Sequence, residues 1–122
     1  MRHKVKSTRL NRTRNQLRAL MRSLVTSLVL YESIETTRPR AKMARGIVDR
    51  IIHKAKTMDK MNAIRYVNAY LLDKNASVKV FDELVTRFKD RESGFTRMIN
   101  TRIRSGDNAQ LVQFQLVESA AK

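Results

Sequence analysis

Ser33-Ile34-Glu35-Thr36-Thr37-Arg38-Pro39-Arg40, residues 33–40, reads as a strand that runs straight into a helix. Residues 33–37 are short, polar-alternating and rich in β-branched side chains, which fit a pleated, half-buried surface. Pro39 ends the strand, because proline cannot donate to a sheet ladder. It suits the first turn of a helix, where its missing N–H is not needed, and Thr37 stands where a cap belongs. A strand set between two helical stretches makes the chain α+β rather than all-helical.

Upstream of this junction, Leu17, Leu20, Met21, Leu24, Val25 and Leu28 recur at helical spacing, which predicts a helix from about Arg12 to Leu30. Asn11 or Thr13 can cap it. Downstream, Ala44, Ile47, Val48, Ile51, Ile52 and Ala55 form the apolar stripe of a helix over about Arg38 to Lys56. Gly46 costs that helix roughly 1 kcal/mol relative to alanine, which close packing would explain. A third helix is expected from Asp59 to Leu71 or Leu72, with Ile64, Val67 and Leu71 inward. A fourth, capped by Asp73 or Asn75, should cover Ala76 to Phe88 with Phe81, Leu84, Val85 and Phe88 inside.

Residues 95–103 and 110–117 alternate like strands. The turn between them, Arg104-Ser105-Gly106-Asp107-Asn108-Ala109, contains Gly and Asn, which suit positive-φ positions. An antiparallel hairpin is the simplest pairing. The order is α-β-α-α-α-β-β, one sheet covered by helices. Residues 1–11 lack periodicity and read as an extended basic arm. Residues 12–118 read as a single domain, and 119–122 as a short tail.

The charge is large and uneven. Among 122 residues there are 26 Lys and Arg against 11 Asp and Glu, a formal net charge of +15. The first acidic residue is Glu32. Before it stand Arg2, Lys4, Lys6, Arg9, Arg12, Arg14, Arg18 and Arg22. Such a stretch repels itself unless something negative is near. Arg14, Arg18 and Arg22 recur every four residues without acidic partners at that spacing, so salt bridges do not stabilise this face. Arg38, Arg40, Lys42 and Arg45 crowd the first turns of the second helix, where the helix dipole disfavours cations and a bound phosphate would resolve the conflict.

Other chemistry is poorly supplied. Cysteine is absent, which excludes disulfides, thiolate zinc sites and a cysteine nucleophile. His3 and His53 are the only histidines and lie far apart, so neither a metal site nor acid–base catalysis is legible. Glu32 and Glu35 flank a strand without a catalytic partner, and Asp107 reads as a turn residue bonding its own backbone. No cofactor or small-molecule substrate is expected, nor an obligate homo-oligomer. The first residues are basic and polar, so neither a secretory signal nor an organelle leader is expected, and the reading is cytoplasmic. No groove-reading element or aromatic stacking platform is present. Arginines and lysines on an arm, a helix stripe and a helix start fit phosphate geometry and folded RNA shape, and arginine grips phosphate bidentately.

Particular motifs narrow this further. Met1-Arg2-His3-Lys4, Leu10-Asn11-Arg12 and Ser27-Leu28-Val29 resemble the start of the bacterial large-subunit ribosomal protein seventeen family. Ile34-Glu35-Thr36-Thr37 with Pro39-Arg40-Ala41-Lys42 is similar to its strand-to-helix junction. Gly94-Phe95-Thr96-Arg97 and Arg104-Ser105-Gly106-Asp107-Asn108-Ala109 are similar to its C-terminal hairpin, and this pair is the most specific part.

The resemblance implies a two-layer α/β fold with a three-stranded mixed sheet. It also implies a structural, non-enzymatic constituent of the ribosome that binds large-subunit ribosomal RNA on the solvent side, near where nascent chains emerge, beside neighbouring large-subunit proteins. The motif matches imply RNA contact by Arg2, His3, Lys4, Arg12, Arg40, Lys42, Arg97 and Arg104. The charge argument adds Lys6, Arg9, Arg14, Arg18, Arg22, Arg38 and Arg45.

Overall fold

The computed structural model describes residues 9–118. Arg2, His3, Lys4 and Lys6, with most of the expected arm and the tail at 119–122, lie outside the described residues. What is described of the arm is a turn, not an extended strand. Leu10 and Asn11 take φ of 50° and 53°, and the Arg12 N–H donates to the Arg9 carbonyl at 3.0 Å. Leu10 packs against the core, which offsets the strain of a left-handed leucine.

Helix α1 (Arg14–Tyr31) begins after Thr13, because Thr13 and Gln16 form a reciprocal capping box. Its buried line is Met21, Val25, Leu28 and Val29, while Leu17, Leu20 and Leu24 sit half-buried at its margin. The buried Thr26 hydroxyl donates to the Arg22 carbonyl at 2.7 Å and accepts the Leu72 N–H at 3.2 Å. The helix stops at Glu32, which adopts a left-handed cap (φ 62°) and donates its N–H to the Leu28 carbonyl at 2.8 Å.

Strand β1 (Ser33–Thr37) passes directly into α2 (Arg38–Thr57), with Pro39 in its first turn. Thr37 occupies the cap position but makes no side-chain capping bond. Ala41, Ala44, Val48, Ile51, Ile52 and Ala55 are buried. Gly46 is not packed at all: a Cβ built there would meet nothing within 4 Å. Close packing therefore does not account for it.

Helix α3 (Lys60–Tyr70) is short and buries Ala63 and Val67. The last helix, α4, starts at Lys74–Lys79, continues through a π-helical stretch, Val80–Leu84, and ends with Val85–Arg87. Asp73 caps it by accepting the Asn75 N–H at 2.7 Å. Its buried line is Ala76, Val80, Leu84 and Phe88, with the expected Phe81 and Val85 only half-buried. The π turn explains the difference. At 3.6 residues per turn, a strict four-residue repeat drifts by about 40° per step. Widening the helix in the middle keeps all four side chains on one line.

Strands β2 (Thr96–Ile103) and β3 (Gln110–Leu116) form a hairpin, and the sheet order is β1-β3-β2. Both pairings are antiparallel, so the sheet is antiparallel rather than mixed. β1 and β2 run the same way, but β3 lies between them and opposes both. Ile34, Phe114 and Met98 stand opposite one another across the three strands and face the helices. An irregularity between Asn100 and Arg102 bends β2 as it leaves the core. In the hairpin loop only Asn108 takes positive φ (55°); Gly106 does not, and the glycine that does is Gly94 (φ 70°), just before β2. One core results, roofed by α1, α2 and α4. It includes a tilted Phe88–Phe95 pair with ring centroids 5.0 Å apart.

Candidate nucleic-acid interface

Ion pairs divide the surface in two. Among the described residues they are Lys79 and Arg87 with Glu32 and Glu83, Arg102 with Glu35, and Arg104 with Asp107. All 11 side-chain carboxylates are described, and none is within ion-pairing reach of a cation between Arg9 and Lys60. The carboxylates that pair, Glu32, Glu83, Glu35 and Asp107, hold cations that follow Lys60 in the sequence.

Glu32 is the centre of the first group. Its carboxylate accepts two N–H bonds from Arg87, at 3.0 and 2.9 Å, and meets the Lys79 ammonium at 3.0 Å. Lys79 also donates to the Leu30 carbonyl. The Arg87 hydrogen bonds lower the Glu32 pKa from 4.5 to about 2, with Lys79 assisting and burial opposing. A depressed carboxylate pKa contributes stability that is complete above the ordinary value and is lost as pH falls through the folded value. Glu32→Gln should therefore destabilise the chain by about 1 kcal/mol at neutral pH, a figure discounted for solvent screening of a partly exposed pair. The gap from wild type should close between pH 4.5 and about 2. Urea midpoints measured across that range test this, and a gap independent of pH would refute the role.

The cationic surface is built from three places. On α1, Arg14 and Arg18 are exposed along one stripe, with Arg9 and Arg12 exposed in the preceding turn. Arg22 is half-buried on the same stripe and is already engaged, since its Nε–H donates to the Tyr70 carbonyl at 2.8 Å and ties α1 to the end of α3. At the start of α2, Arg38, Lys42 and Arg45 are exposed and Arg40 is half-buried, with no acidic residue in the first turn. The third place is the hairpin. Arg38 donates to the Gln110 side chain at 3.3 Å, and Gln110 pairs with Ile103 beside Arg104. The start of α2 and the base of the hairpin loop thus lie at one end of the molecule. Arg104 is held by Asp107, with bonds of 2.8 and 2.5 Å. Asp107 also accepts the Ala109 N–H, the turn role read from its sequence. Arg97 is exposed on β2 and stands opposite Gln115 of β3.

Sequence reading stopped at Arg45, but the exposed side of α2 continues through Arg50, His53 and Lys54. Tyr70 links that side to α1. Burial raises its hydroxyl pKa, the neighbouring Tyr66 adds to the rise, and the charges of Arg22, Arg18 and Arg50 oppose it. Cations from both α1 and α2 therefore act on one phenol of α3. Exposed position combined with a missing acidic partner was the available signal for Arg50, and it is weaker than the cluster at the helix start.

A groove of about 670 Å³ between α3 and α4 is lined by Ile64, Leu71, Leu72, Val78 and Phe81 with lysines and aspartates at its rim. It contains none of the candidate contact residues named from the sequence. Among the described residues no three His, Asp or Glu side chains converge as a metal site, and no helix is long and apolar enough to cross a membrane.

The fold is a small α+β domain with a stretch of cations that have no carboxylate within ion-pairing reach among the described residues. Residues 20–117 match the family described as ribosomal protein L17. The chain is 46% identical to the large ribosomal subunit protein bL17 of Campylobacter jejuni strain 81-176 over 117 residues, covering 96% of this chain and 99% of that one. It is 41% identical to the bL17 protein of Campylobacter concisus, covering 96% and 98%. It is 38% identical to that of Thermodesulfovibrio yellowstonii, covering 98% and 90%. The chain belongs to the ribosomal protein L17 family. That family is a structural, non-enzymatic constituent of the large ribosomal subunit, which in bacteria is cytoplasmic.

Proposed function

We propose that this chain binds large-subunit ribosomal RNA through phosphate contacts made by α1, the start of α2 and the residues preceding α1, and so helps hold that RNA in its folded form. The observation that carries the reading is the separation of charge. The cations from Arg9 to Arg45 have no carboxylate within ion-pairing reach, while the carboxylates that do pair hold Lys79, Arg87, Arg102 and Arg104. Arg9, Arg12, Arg14, Arg18, Arg38, Arg40, Lys42 and Arg45 are the described contacts. Arg2, His3, Lys4 and Lys6 extend the set by their place in the basic N-terminal stretch. Arg22 contributes while bonded to Tyr70, and Arg97 and Arg104 contribute from the hairpin. Position on the solvent side of the subunit near the emerging nascent chain, and contact with neighbouring large-subunit proteins, are supported by the family.

The test is the salt dependence of binding to purified large-subunit RNA. Releasing counterions from six or more phosphates should weaken binding on the order of a thousandfold between about 50 and 200 mM salt. Affinity that barely changes over that range would overturn the phosphate reading. Equal affinity for chromosomal DNA of the same length would reduce it to general polyanion binding.

A further inference from the structure

Lys42, Arg45, Gly46, Arg50, His53 and Lys54 are all exposed on α2; helical spacing puts Lys42, Gly46, Arg50, His53 and Lys54 on one side of the helix, with Arg45 at its margin. The acidic residue within this run, Asp49, borders the same side and is half-buried, with one carboxylate oxygen already engaged. Its Oδ1 accepts the Phe95 N–H at 3.2 Å, holding the start of β2. Gly46 sits in the middle of the run, four residues from both Lys42 and Arg50. Mid-helix glycine is disfavoured against alanine, and nothing inside the fold calls for it. Its φ is not in the left-handed region, it lies in no turn, and its missing Cβ leaves open space. A residue that weakens its own helix, exposed among cations, fits a place where another backbone must come close.

We propose that the exposed side of α2 from Lys42 to Lys54 is a phosphate track for RNA, with Arg50, His53 and Lys54 as contacts beyond the helix start and with the sugar–phosphate backbone passing closest over Gly46. The proposal rests on the RNA-binding reading above and extends it along the helix. Lys42, Arg45, Arg50 and Lys54 supply the cations. His53 supplies a ring N–H, and the glycine removes the one side chain that would hold the strand off the helix. The track adjoins the α1 stripe, since α1 packs against α2 and the charges of Arg18, Arg22 and Arg50 all reach the Tyr70 hydroxyl. A single strand could therefore run across both helices.

The experiment compares Gly46→Ala, Gly46→Gln and wild type in thermal unfolding and in binding to purified large-subunit RNA. Both variants should unfold a few degrees higher than wild type, since each relieves the helix of its glycine. Both should bind RNA more weakly, and Gly46→Gln by about tenfold or more, the low end of what forcing bulk into a close contact costs. Arg50→Gln should reduce the salt slope by about one contact. Ala69→Gln, which adds bulk at an exposed position on α3, should leave affinity unchanged. Unchanged affinity in Gly46→Gln, while wild type keeps its salt dependence, would overturn the track and leave the broader reading standing. Equal weakening by Ala69→Gln would also overturn it. A wild type without salt dependence would remove both.

Discussion

Phe114→Ala should lower stability by about 3–5 kcal/mol, the range for emptying an aromatic site in a packed core. Phe114 is fully buried on the central strand. It stands opposite Ile34 of β1 and Met98 of β2, so its ring is the point at which all three strands meet the helices. β1 is only five residues long, and removing the ring would loosen a cross-strand row that joins it to the hairpin. Against a total of about 5–15 kcal/mol for a domain of this size, the loss is a large fraction. The unfolding midpoint should fall on the order of 15 °C. Circular dichroism during heating reads it directly. The comparison is Ile103→Ala, since Ile103 is 62% exposed on the outlying part of β2 and should shift stability by no more than about 0.5 kcal/mol. Similar effects from both substitutions would mean that the hairpin, not the central row, carries the core.

Parts of this architecture were legible from local chemistry. The β1–α2 junction is set by Pro39 and the β-branched run before it, and α2's buried stripe follows the 3.6-residue period closely. The rest depended on contacts made at a distance. No local signal specifies the π turn in α4, because the four-residue repeat Ala76–Val80–Leu84–Phe88 matters only once the core selects that line. Glu32 looked like an isolated acid beside a strand. Its role needs Lys79 and Arg87 from a helix that returns nearly 50 residues later. The same applies to the cations. Sequence separates those with an acid nearby in the chain from those without, but it could not tell that Arg22 would spend a donor on Tyr70. Nor could it tell that Arg102, outside every motif, would pair with Glu35 across the sheet. The face of α2 beyond Arg45 went unread because its cations are spread at helical spacing instead of being crowded together.

Replacing Arg12, Arg14 and Arg18 together by glutamine should weaken binding to large-subunit RNA on the order of a hundredfold near physiological salt, and lower the log–log salt slope by about 2 to 3. These three are exposed and have no carboxylate partners, and glutamine matches arginine closely in helix propensity. Arg22 is left in place because removing it would also break the bond to Tyr70. The folded chain should not suffer. Arg14 is the first residue of α1, where the helix dipole disfavours a cation, and the first turn holds no acid to compensate. Removing three positive charges from a chain of net charge +15 relieves self-repulsion. The thermal midpoint at low salt should therefore hold steady or rise while affinity falls. Opposite movement of the two measurements separates a surface built to meet a polyanion from one that merely supports the fold. A fall in stability that matches the fall in affinity would mean that these arginines hold α1 in place, and that the RNA contacts lie elsewhere on the chain.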